Sequence, residues 1–270
     1  MNNTTAIIQA RMGSTRLPGK ICKDLAGKSV LAWVVERLEL ARKLDQIVIA
    51  TTDKPEDDPI VELAERLGVA VYRGSDNDVL DRYYQTALKF DADPVVRICS
   101  DCPFIDPQIV DGVINTYFRE KADFSGIMKA ETKNSNNYPR GLSTEVFSFA
   151  ALEKAWKDTG APSSTVPGGV REDEKRKKYR EHVTLYIYQH PKIFKIRDFR
   201  PPPLKSDYSD VHITIDYDED LVFANKLVQR IGKDGFISIG DILEIIDHEP
   251  DLKRINYIPE REGRIKAILE

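Results

Sequence analysis

The sequence has little cysteine, no excess of positive charge and no long apolar run. Three cysteines in 270 residues are too few for a disulfide framework, and such a composition favours a reducing compartment. A net charge of −4 argues against binding nucleic acid or an anionic membrane through bulk charge. No apolar run approaches the roughly 20 residues that span a bilayer. We therefore expect a cytoplasmic protein with no membrane-inserted segment and no signal peptide.

Two of the cysteines, Cys99 and Cys102, form a Cys-x-x-Cys pair, a spacing found in redox proteins and in zinc sites. A zinc site of this type needs a second pair, and the remaining Cys22 stands alone in the sequence. We therefore interpret both residues as small, partly buried side chains, with no redox or zinc role.

What the sequence does contain is an alternation of short apolar runs with amphipathic segments. Continuous apolar, β-branched runs predict strands at 4–8, 46–51, 69–72 and 95–99. A periodicity of 3.6 residues predicts helices at 30–44, 57–67 and 110–120. Crossover helices between short apolar strands indicate an α/β fold, a Rossmann-like and mostly parallel sheet sandwiched by helices. Ligands in such sheets bind outside the carboxyl ends of the strands.

The loop that follows the first predicted strand combines small residues with three cations. Gly13 and Ser14 let backbone amides approach an anion closely, and Arg11, Arg16 and Lys20 can neutralise a triphosphate. The glycine spacings of a P-loop and of a dinucleotide fingerprint are both absent. A basic surface loop is the alternative, but three cations in a Gly/Pro loop directly after a strand favour phosphate binding.

Residues 10–20, Ala-Arg-Met-Gly-Ser-Thr-Arg-Leu-Pro-Gly-Lys, resemble the signature of the sugar-acid cytidylyltransferases, which make CMP-sialic acid and CMP-Kdo. The most similar branch is the SpsF family of spore-coat polysaccharide biosynthesis, and the resemblance covers nearly the whole chain. The signature is specific for the nucleotidyltransferase group and much less so for the sugar. In this 10–20 loop the resemblance implies catalytic roles for Lys20, Arg11 and Arg16. It also implies nucleotide binding by Ala10, Gly13 and Ser14.

A second polar loop, residues 73–83, follows the third predicted strand and opens on the same edge of the sheet. Asp76 or Asn77 can cap the helix that begins just beyond, and capping alone explains these polar residues. In the cytidylyltransferases the corresponding loop contacts the base and the ribose. The resemblance therefore makes Ser75 and Arg82 candidates for nucleotide binding.

Asp101 directly follows the fourth predicted strand. Mg²⁺ takes oxygen ligands, commonly one or two carboxylates with substrate phosphates, so Asp101 is a candidate ligand, and the alternative is that it only shapes a turn. Asp106 is better placed to cap the next helix. The family has a similar Gly-Asp-Cys-Pro-Leu-Ile-Asp-Pro run here, with Ser100 replacing the glycine in this chain. It has a second metal-binding Asp at the position of Asp216, after a predicted strand at 211–215, so the resemblance implies Mg²⁺ on Asp101 and Asp216.

The run Tyr-Pro-Arg-Gly-Leu-Ser-Thr-Glu-Val at 138–146 resembles a family segment near the sugar pocket. Arg140 can pair with the carboxylate of a sugar acid, and an exposed turn residue is an equal alternative. Residues 161–178, with their prolines, glycines and charges, predict a mobile loop. A helix is predicted from 180 to about 190, in which His182 is interpreted as structural rather than as a general base.

The expected organisation is a nucleotidyltransferase domain at 1–235, with a sugar-binding and dimerisation excursion at about 125–200. A C-terminal helical extension at 236–270 packs on the same domain. The expected reaction is transfer of CMP from CTP to a sugar or sugar acid, with release of pyrophosphate, by a homodimer active in surface polysaccharide synthesis. Two alternatives stay open: a glycosyltransferase that uses a nucleotide-sugar donor, and a non-catalytic nucleotide-binding assembly protein. A diphosphate donor has less need of the 10–20 loop.

Overall fold

The computed structural model describes residues 3–127, 137–160, 170–232 and 237–257. In chain order the strands are β1 (Thr5–Gln9), β2 (Asp24–Leu25), β3 (Lys28–Ser29), β4 (Gln46–Thr52), β5 (Ala70–Gly74), β6 (Val95–Cys99), β7 (Phe124–Ile127), β8 (Glu145–Phe147) and β9 (Ile196–Phe199). Strands β2 and β3 form a small hairpin, and the other seven form one sheet in the order β5-β4-β1-β6-β8-β7-β9.

Helices cover both faces of this sheet. In chain order they are α1 (Val30–Leu38), α2 (Asp58–Leu67), α3 (Val79–Lys89), α4 (Pro107–Glu120), α5 (Phe149–Thr159), α6 (Val170–Glu181), α7 (Leu185–Gln189), α8 (Asp218–Ile231) and α9 (Ile239–His248). Within the described ranges, none of them is both long and apolar enough to cross a membrane. The predicted mostly parallel α/β architecture is confirmed.

Four neighbouring strands, β5, β4, β1 and β6, run parallel to one another. Their carboxyl ends therefore meet along one border of the sheet, which we call the carboxyl edge. Consecutive residues of β1 point to opposite faces. Ile8 packs in the cluster that includes Leu31 of α1, and Ile7 packs in the one that includes Leu80 and Tyr83 of α3. A strand buried on both faces needs apolar residues at every position, which explains its continuous apolar sequence.

Beyond β6 the sheet changes character. Strand β8 is antiparallel to both β6 and β7, and β9 returns parallel to β7 at the border. The chain enters β8 by way of residues 137–144, which lead from the side of the carboxyl edge into the sheet. This part of the sheet thus places the segment that contains Arg140 next to the parallel half.

The predicted mobile loop at 161–178 is wrong for its second half, because α6 begins at Val170. The run of Glu, Lys and Arg that indicated a loop is also rich in good helix formers. The end of this helix is anchored by Tyr179 and Arg180, both buried. Residues 161–169 lie outside the described residues. The helix predicted from 180 to about 190 is instead the end of α6 followed by the short α7.

The strand predicted at 211–215 does not form. Val211, Ile213 and Ile215 are buried and alternate with more exposed residues, which is the period-two pattern of a strand. The segment instead donates single backbone hydrogen bonds, from Ile213 to the carbonyl of Arg140 and from Ile215 to the carbonyl of Asp101, both at 2.9 Å. The alternation of buried and exposed residues indicates an extended, half-buried segment. Such a segment is a strand only when it forms continuous hydrogen bonds with a neighbouring strand.

Helix α9 packs on α8 and against the main core. Its buried Ile242 and Ile246 belong to the same hydrophobic cluster as Leu227 of α8 and Ile8 of β1. Ser238 caps this helix by accepting a hydrogen bond from the backbone of Asp241 at 3.1 Å. The described C-terminal residues are therefore continuous with the core of the sheet.

Candidate functional site

The 10–20 loop closes on itself around the peptide of Met12. The Met12 carbonyl accepts hydrogen bonds from the amides of Ser14 at 2.8 Å and of Gly19 at 3.0 Å. Gly19 has a φ of 66°, in the left-handed region that glycine adopts without strain. The chain reverses there and begins a 3-10 turn at Lys20, so the Lys20 side chain points back towards the carboxyl edge.

Lys20 lies between the two aspartates predicted to bind metal. Its ammonium donates to Asp101 Oδ2 at 2.6 Å and to Asp216 Oδ1 at 2.9 Å, and its side chain is only 11% exposed. Arg16 donates to the same oxygen of Asp216. We call Arg16, Lys20, Asp101 and Asp216 the edge cluster. Residues far apart in the sequence thus converge at one point of the carboxyl edge.

The charges of the edge cluster stabilise one another. Burial alone would lower the pKa of Lys20, but the carboxylates of Asp101 and Asp216 outweigh it and raise that pKa. Burial alone would raise the pKa of Asp216, but the neighbouring Lys20 and Arg16 hold it below its ordinary value. Lys20 and Asp216 therefore stay charged at neutral pH.

Asp216 is held in place by Asp220, an aspartate that was not predicted from the sequence to be part of the site. The buried Asp220 accepts backbone hydrogen bonds from Asp216 at 2.8 Å and from Tyr217 at 2.9 Å. Asn256 donates to the other oxygen of Asp220 at 3.0 Å. The signal that would have found it is the acidic first turn of α8, where a carboxylate accepts amides in front of the helix.

The donor set of the edge cluster suits a hard cation. Asp101 and Asp216 supply two carboxylates that already converge on one positive charge. Mg²⁺ is commonly held by one or two carboxylates together with substrate phosphates. Among the described residues, no group of three or more His, Cys, Asp or Glu side chains is arranged to hold a metal ion. A cation here would thus complete its shell with oxygens from substrate and water.

Arg11 lies on the other side of the 10–20 loop, paired with Asp76 at 3.3 Å. Asp76 also pairs with Lys54 at 2.6 Å, and this hydrogen bond is the main reason for its lowered pKa. Lys54 was not selected from the sequence. It follows β4 at the carboxyl edge, and this position, shared with the other candidates, is the signal that points to it.

The remaining nucleotide-binding candidates lie at the start of α3 and in the 10–20 loop. Arg82 is buried and donates to the carbonyl of Ser75 at 2.7 Å, and burial lowers its pKa. The cap of α3 is Asp78, not Asp76 or Asn77, because its carboxylate accepts the amide of Asp81. The Arg82 guanidinium thus holds the backbone of the 73–83 loop in place.

The three nucleotide-binding candidates in the 10–20 loop differ in their surroundings. Ala10 is buried, Gly13 is exposed, and the Ser14 side chain accepts the amide of Leu17 at 3.3 Å.

Arg140 is exposed, and the structure does not bring it into the edge cluster. Its amide donates to Val211 at 2.8 Å and its guanidinium to the carbonyl of Ser209 at 3.4 Å. Its own carbonyl accepts from Ile213, on the segment that leads to Asp216. Arg140 therefore borders the site through its backbone and presents its charge to solvent.

A further charged group joins three neighbouring strands. Arg97 of β6 donates to Glu145 of β8 at 2.7 Å and, through two nitrogens, to Gln9 of β1 at 3.2 and 3.3 Å. Thr184 donates to the same oxygen of Glu145 at 3.0 Å. We call Gln9, Arg97, Glu145 and Thr184 the strand cluster. None of its four residues was predicted from the sequence, although the charge of Arg97 in the middle of an apolar strand was a usable signal.

The three cysteines form no disulfide. Cys22, Cys99 and Cys102 are all free, and Cys102 is fully buried. Burial raises the pKa of both Cys99 and Cys102, which leaves little reactive thiolate. This environment agrees with small packing residues and not with a redox pair.

Comparison with known proteins gives a consistent result. The family model described as "Cytidylyltransferase" matches residues 5–256. The chain is 31% identical to the spore coat polysaccharide biosynthesis protein SpsF of Bacillus subtilis, covering 93% of this chain and 97% of that one. A solved cytidylyltransferase from Leptospira borgpetersenii serovar Hardjo-bovis superposes with a TM-score of 0.80 at 29% identity, covering 96% and 99%. A CMP:2-keto-3-deoxy-manno-octonic acid synthetase complexed with CTP shares the fold, with a TM-score of 0.56 at 18% identity over 85% and 100%.

Proposed function

Because the chain belongs to the cytidylyltransferase family, we propose that it transfers CMP from CTP to a hydroxyl of a sugar or sugar acid and releases pyrophosphate. The process it would serve is surface polysaccharide synthesis, as the name of the SpsF relative suggests. The observation that carries this proposal is the edge cluster. It brings Arg16 and Lys20 of the 10–20 loop together with the carboxylates of Asp101 and Asp216 at the carboxyl edge of the sheet.

In this reaction the oxygen of the sugar hydroxyl bonds to the α-phosphorus of CTP, the hydroxyl proton is released to water, and the bond from that phosphorus to the bridging oxygen of pyrophosphate breaks. Such transfers depend on positioning and on neutralising phosphate charge. Arg11, Arg16 and Lys20 supply the positive charge. The Lys20 ammonium has three N–H donors. Two of them bond to Asp101 and Asp216, so a phosphate oxygen would take the third donor or replace one of these carboxylates.

The carboxylates of Asp101 and Asp216 are the proposed ligands of Mg²⁺, which when bound would offset the negative charge of the phosphates. The nucleotide itself would lie along Ala10, Gly13 and Ser14, with Ser75 and Arg82 near the base and the ribose. Arg82 would act there mainly by fixing the loop, since it already donates to Ser75.

For the sugar, we propose that Arg140 receives the carboxylate of an acidic substrate. Its guanidinium is exposed, and it lies on the segment that connects the edge cluster to β8.

We propose that the catalytic unit is the domain at 1–235 with its C-terminal extension. Two such chains would form a cytoplasmic homodimer through the region from 138 to 190. Sedimentation analysis at micromolar concentration tests the dimer, and a monomer would contradict it.

The decisive experiment is a screen of nucleotides against sugars that detects pyrophosphate. CTP with a sugar acid should release pyrophosphate and form a CMP-sugar, and UTP or GTP should not. Release of a nucleoside diphosphate from a nucleotide-sugar donor would identify a glycosyltransferase instead. CTP binding without product for any sugar would identify a non-catalytic nucleotide-binding protein.

A further inference from the structure

A buried carboxylate, Asp57, directly contacts the 10–20 loop. It is 1% exposed and ends the 3-10 turn between β4 and α2. One of its oxygens accepts the amide of Met12 at 2.6 Å, and the other accepts the hydroxyl of Thr52 at the end of β4. A carboxylate buried this deeply must be well hydrogen-bonded, and both of these partners lie at the carboxyl edge.

Helix stability does not explain this residue. Asp57 occupies the N-cap position of α2, where an aspartate ordinarily accepts an amide of the first helical turn. Its side chain makes no such capping hydrogen bond. Asp106 provides the contrast, because it caps α4 by accepting the amides of Gln108 at 2.8 Å and Ile109 at 3.3 Å. Asp57 is therefore directed away from its own helix.

Asp57 holds the amide of Met12, the residue whose carbonyl closes the loop. The amide of Met12 donates to Asp57, and its carbonyl accepts the amides of Ser14 and Gly19. Gly19 precedes Lys20, whose ammonium lies between Asp101 and Asp216. A continuous path of hydrogen bonds and covalent bonds thus runs from the buried carboxylate to the edge cluster.

We propose that Asp57 is a positioning residue, which fixes the Met12 peptide and through it the conformation that aims Lys20. It touches no reacting atom. Its effect on turnover rests on the proposed cytidylyltransferase function, whereas its effect on the loop does not. Hydrogen bonds from a neutral donor to a charged acceptor are among the stronger ones in proteins, so a single residue can set the order of the whole loop.

The first experiment measures the loop without any substrate. Amide hydrogen exchange of peptides covering residues 10–20 is compared in the wild type, Asp57→Ala and Asp57→Asn. We expect the alanine variant to exchange at least about tenfold faster at Ser14 and Gly19, as loss of a charge-assisted bond implies. The asparagine variant keeps an acceptor for Met12 and should recover most of the protection. Unchanged exchange in Asp57→Ala overturns the proposal.

The matched control is Asp106→Ala, which removes an equally buried N-cap aspartate that does cap its helix. It should lower the melting temperature while leaving exchange at 10–20 unchanged. Equal acceleration in both variants would mean general loosening and would overturn the proposal. If Asp57→Ala does not fold, Asp57→Ser replaces it, since a serine keeps polarity but is too short to reach Met12.

The second experiment measures turnover. Asp57→Ala should lower kcat for CMP transfer about tenfold or more with little change in KM for the sugar, and Asp57→Asn should recover part of it. In a Lys20→Ala background, Asp57→Ala should lower kcat little further, because Asp57 acts on the reaction through Lys20. If the fold losses in kcat of the two single variants multiply in the double variant, the proposal is overturned. If the wild type orders its loop through Asp57 but makes no CMP-sugar, the proposed function fails and the positioning role stands.

Discussion

The edge cluster and the strand cluster use the same chemistry and differ in what surrounds it. Both pair a cation with a carboxylate at 2.6–2.9 Å. In the strand cluster, Arg97 and Glu145 lie on adjacent strands, and neutral groups of Gln9 and Thr184 provide further hydrogen bonds. In the edge cluster the side chains of Lys20 and Arg16 pair with carboxylates that belong to loops, and Arg16 also lies over the ring of Tyr217 at 5.6 Å.

The difference separates a structural charge pair from the charges that we propose take part in the reaction. Arg97, Glu145 and Gln9 lie on three strands of one sheet, so the pair of Arg97 with Glu145 cannot change partners without disrupting the sheet. A lysine between two loop carboxylates can exchange one of them for a phosphate oxygen of similar charge and geometry. We therefore expect loss of Arg97 to appear in stability and loss of Lys20 to appear in turnover.

The largest expected effect is on the strand cluster. Arg97→Met should lower the free energy of unfolding by about 3–5 kcal/mol, because it removes the guanidinium that pairs with the buried Glu145 carboxylate at 2.7 Å. Urea denaturation measures this. The double variant Arg97→Met with Glu145→Leu should recover much of the loss. A single-variant loss below about 1 kcal/mol would remove the distinction between the clusters.

Lys20→Met should show the opposite profile. We expect kcat/KM for CMP transfer to fall about 100- to 1,000-fold, or about 2.7–4 kcal/mol of transition-state stabilisation. Stability measured with Mg²⁺ present should change by much less than in Arg97→Met. A variant that loses stability but retains turnover would place Lys20 with the structural charges.

Asp101→Asn and Asp216→Asn test whether the two carboxylates act as one unit. Each should lower Mg²⁺-dependent turnover by about 100-fold while the protein stays folded, and the double variant should lose much less than the product. Titrating Mn²⁺ against each variant with CTP present gives a second readout. Multiplying losses would mean that the two aspartates serve separate functions.

The smallest expected effect is at Arg140, whose charge lies at the surface. Arg140→Ala should raise KM for an acidic sugar about fivefold, or about 1 kcal/mol, as suits an exposed ion pair. KM for a neutral sugar of the same size should not change. An equal rise for both sugars would show that Arg140 only shapes its turn.

The parallel half of the fold was predictable because its signals are local. Each of β1, β4, β5 and β6 is a short apolar run bounded by polar residues, and the 10–20 loop carries its cations in one stretch. The convergence of Asp101 with Lys20 follows from the topology, since both lie just past neighbouring parallel strands.

Residues that contact parts of the chain distant in the sequence were missed. Asp57 resembles an ordinary helix-start aspartate in the sequence, and only the structure shows that it holds the backbone of Met12, 45 residues earlier. The false strand at 211–215 has the same origin, because its alternation reports burial and not the neighbour needed for pairing. Which amide a carboxylate accepts is decided by the fold as a whole.

The pairing of the predicted phosphate-binding cations has a consequence for the speed of encounter. Arg11 and Lys54 share Asp76, Arg16 and Lys20 share Asp216, and Lys20 also pairs with Asp101. Three carboxylates therefore offset most of the charge of these four cations. Long-range steering accelerates association and fades as salt rises. The association rate of CTP should therefore vary only weakly with ionic strength, and it should become faster and more salt-dependent in Asp76→Asn, which frees two cations at once.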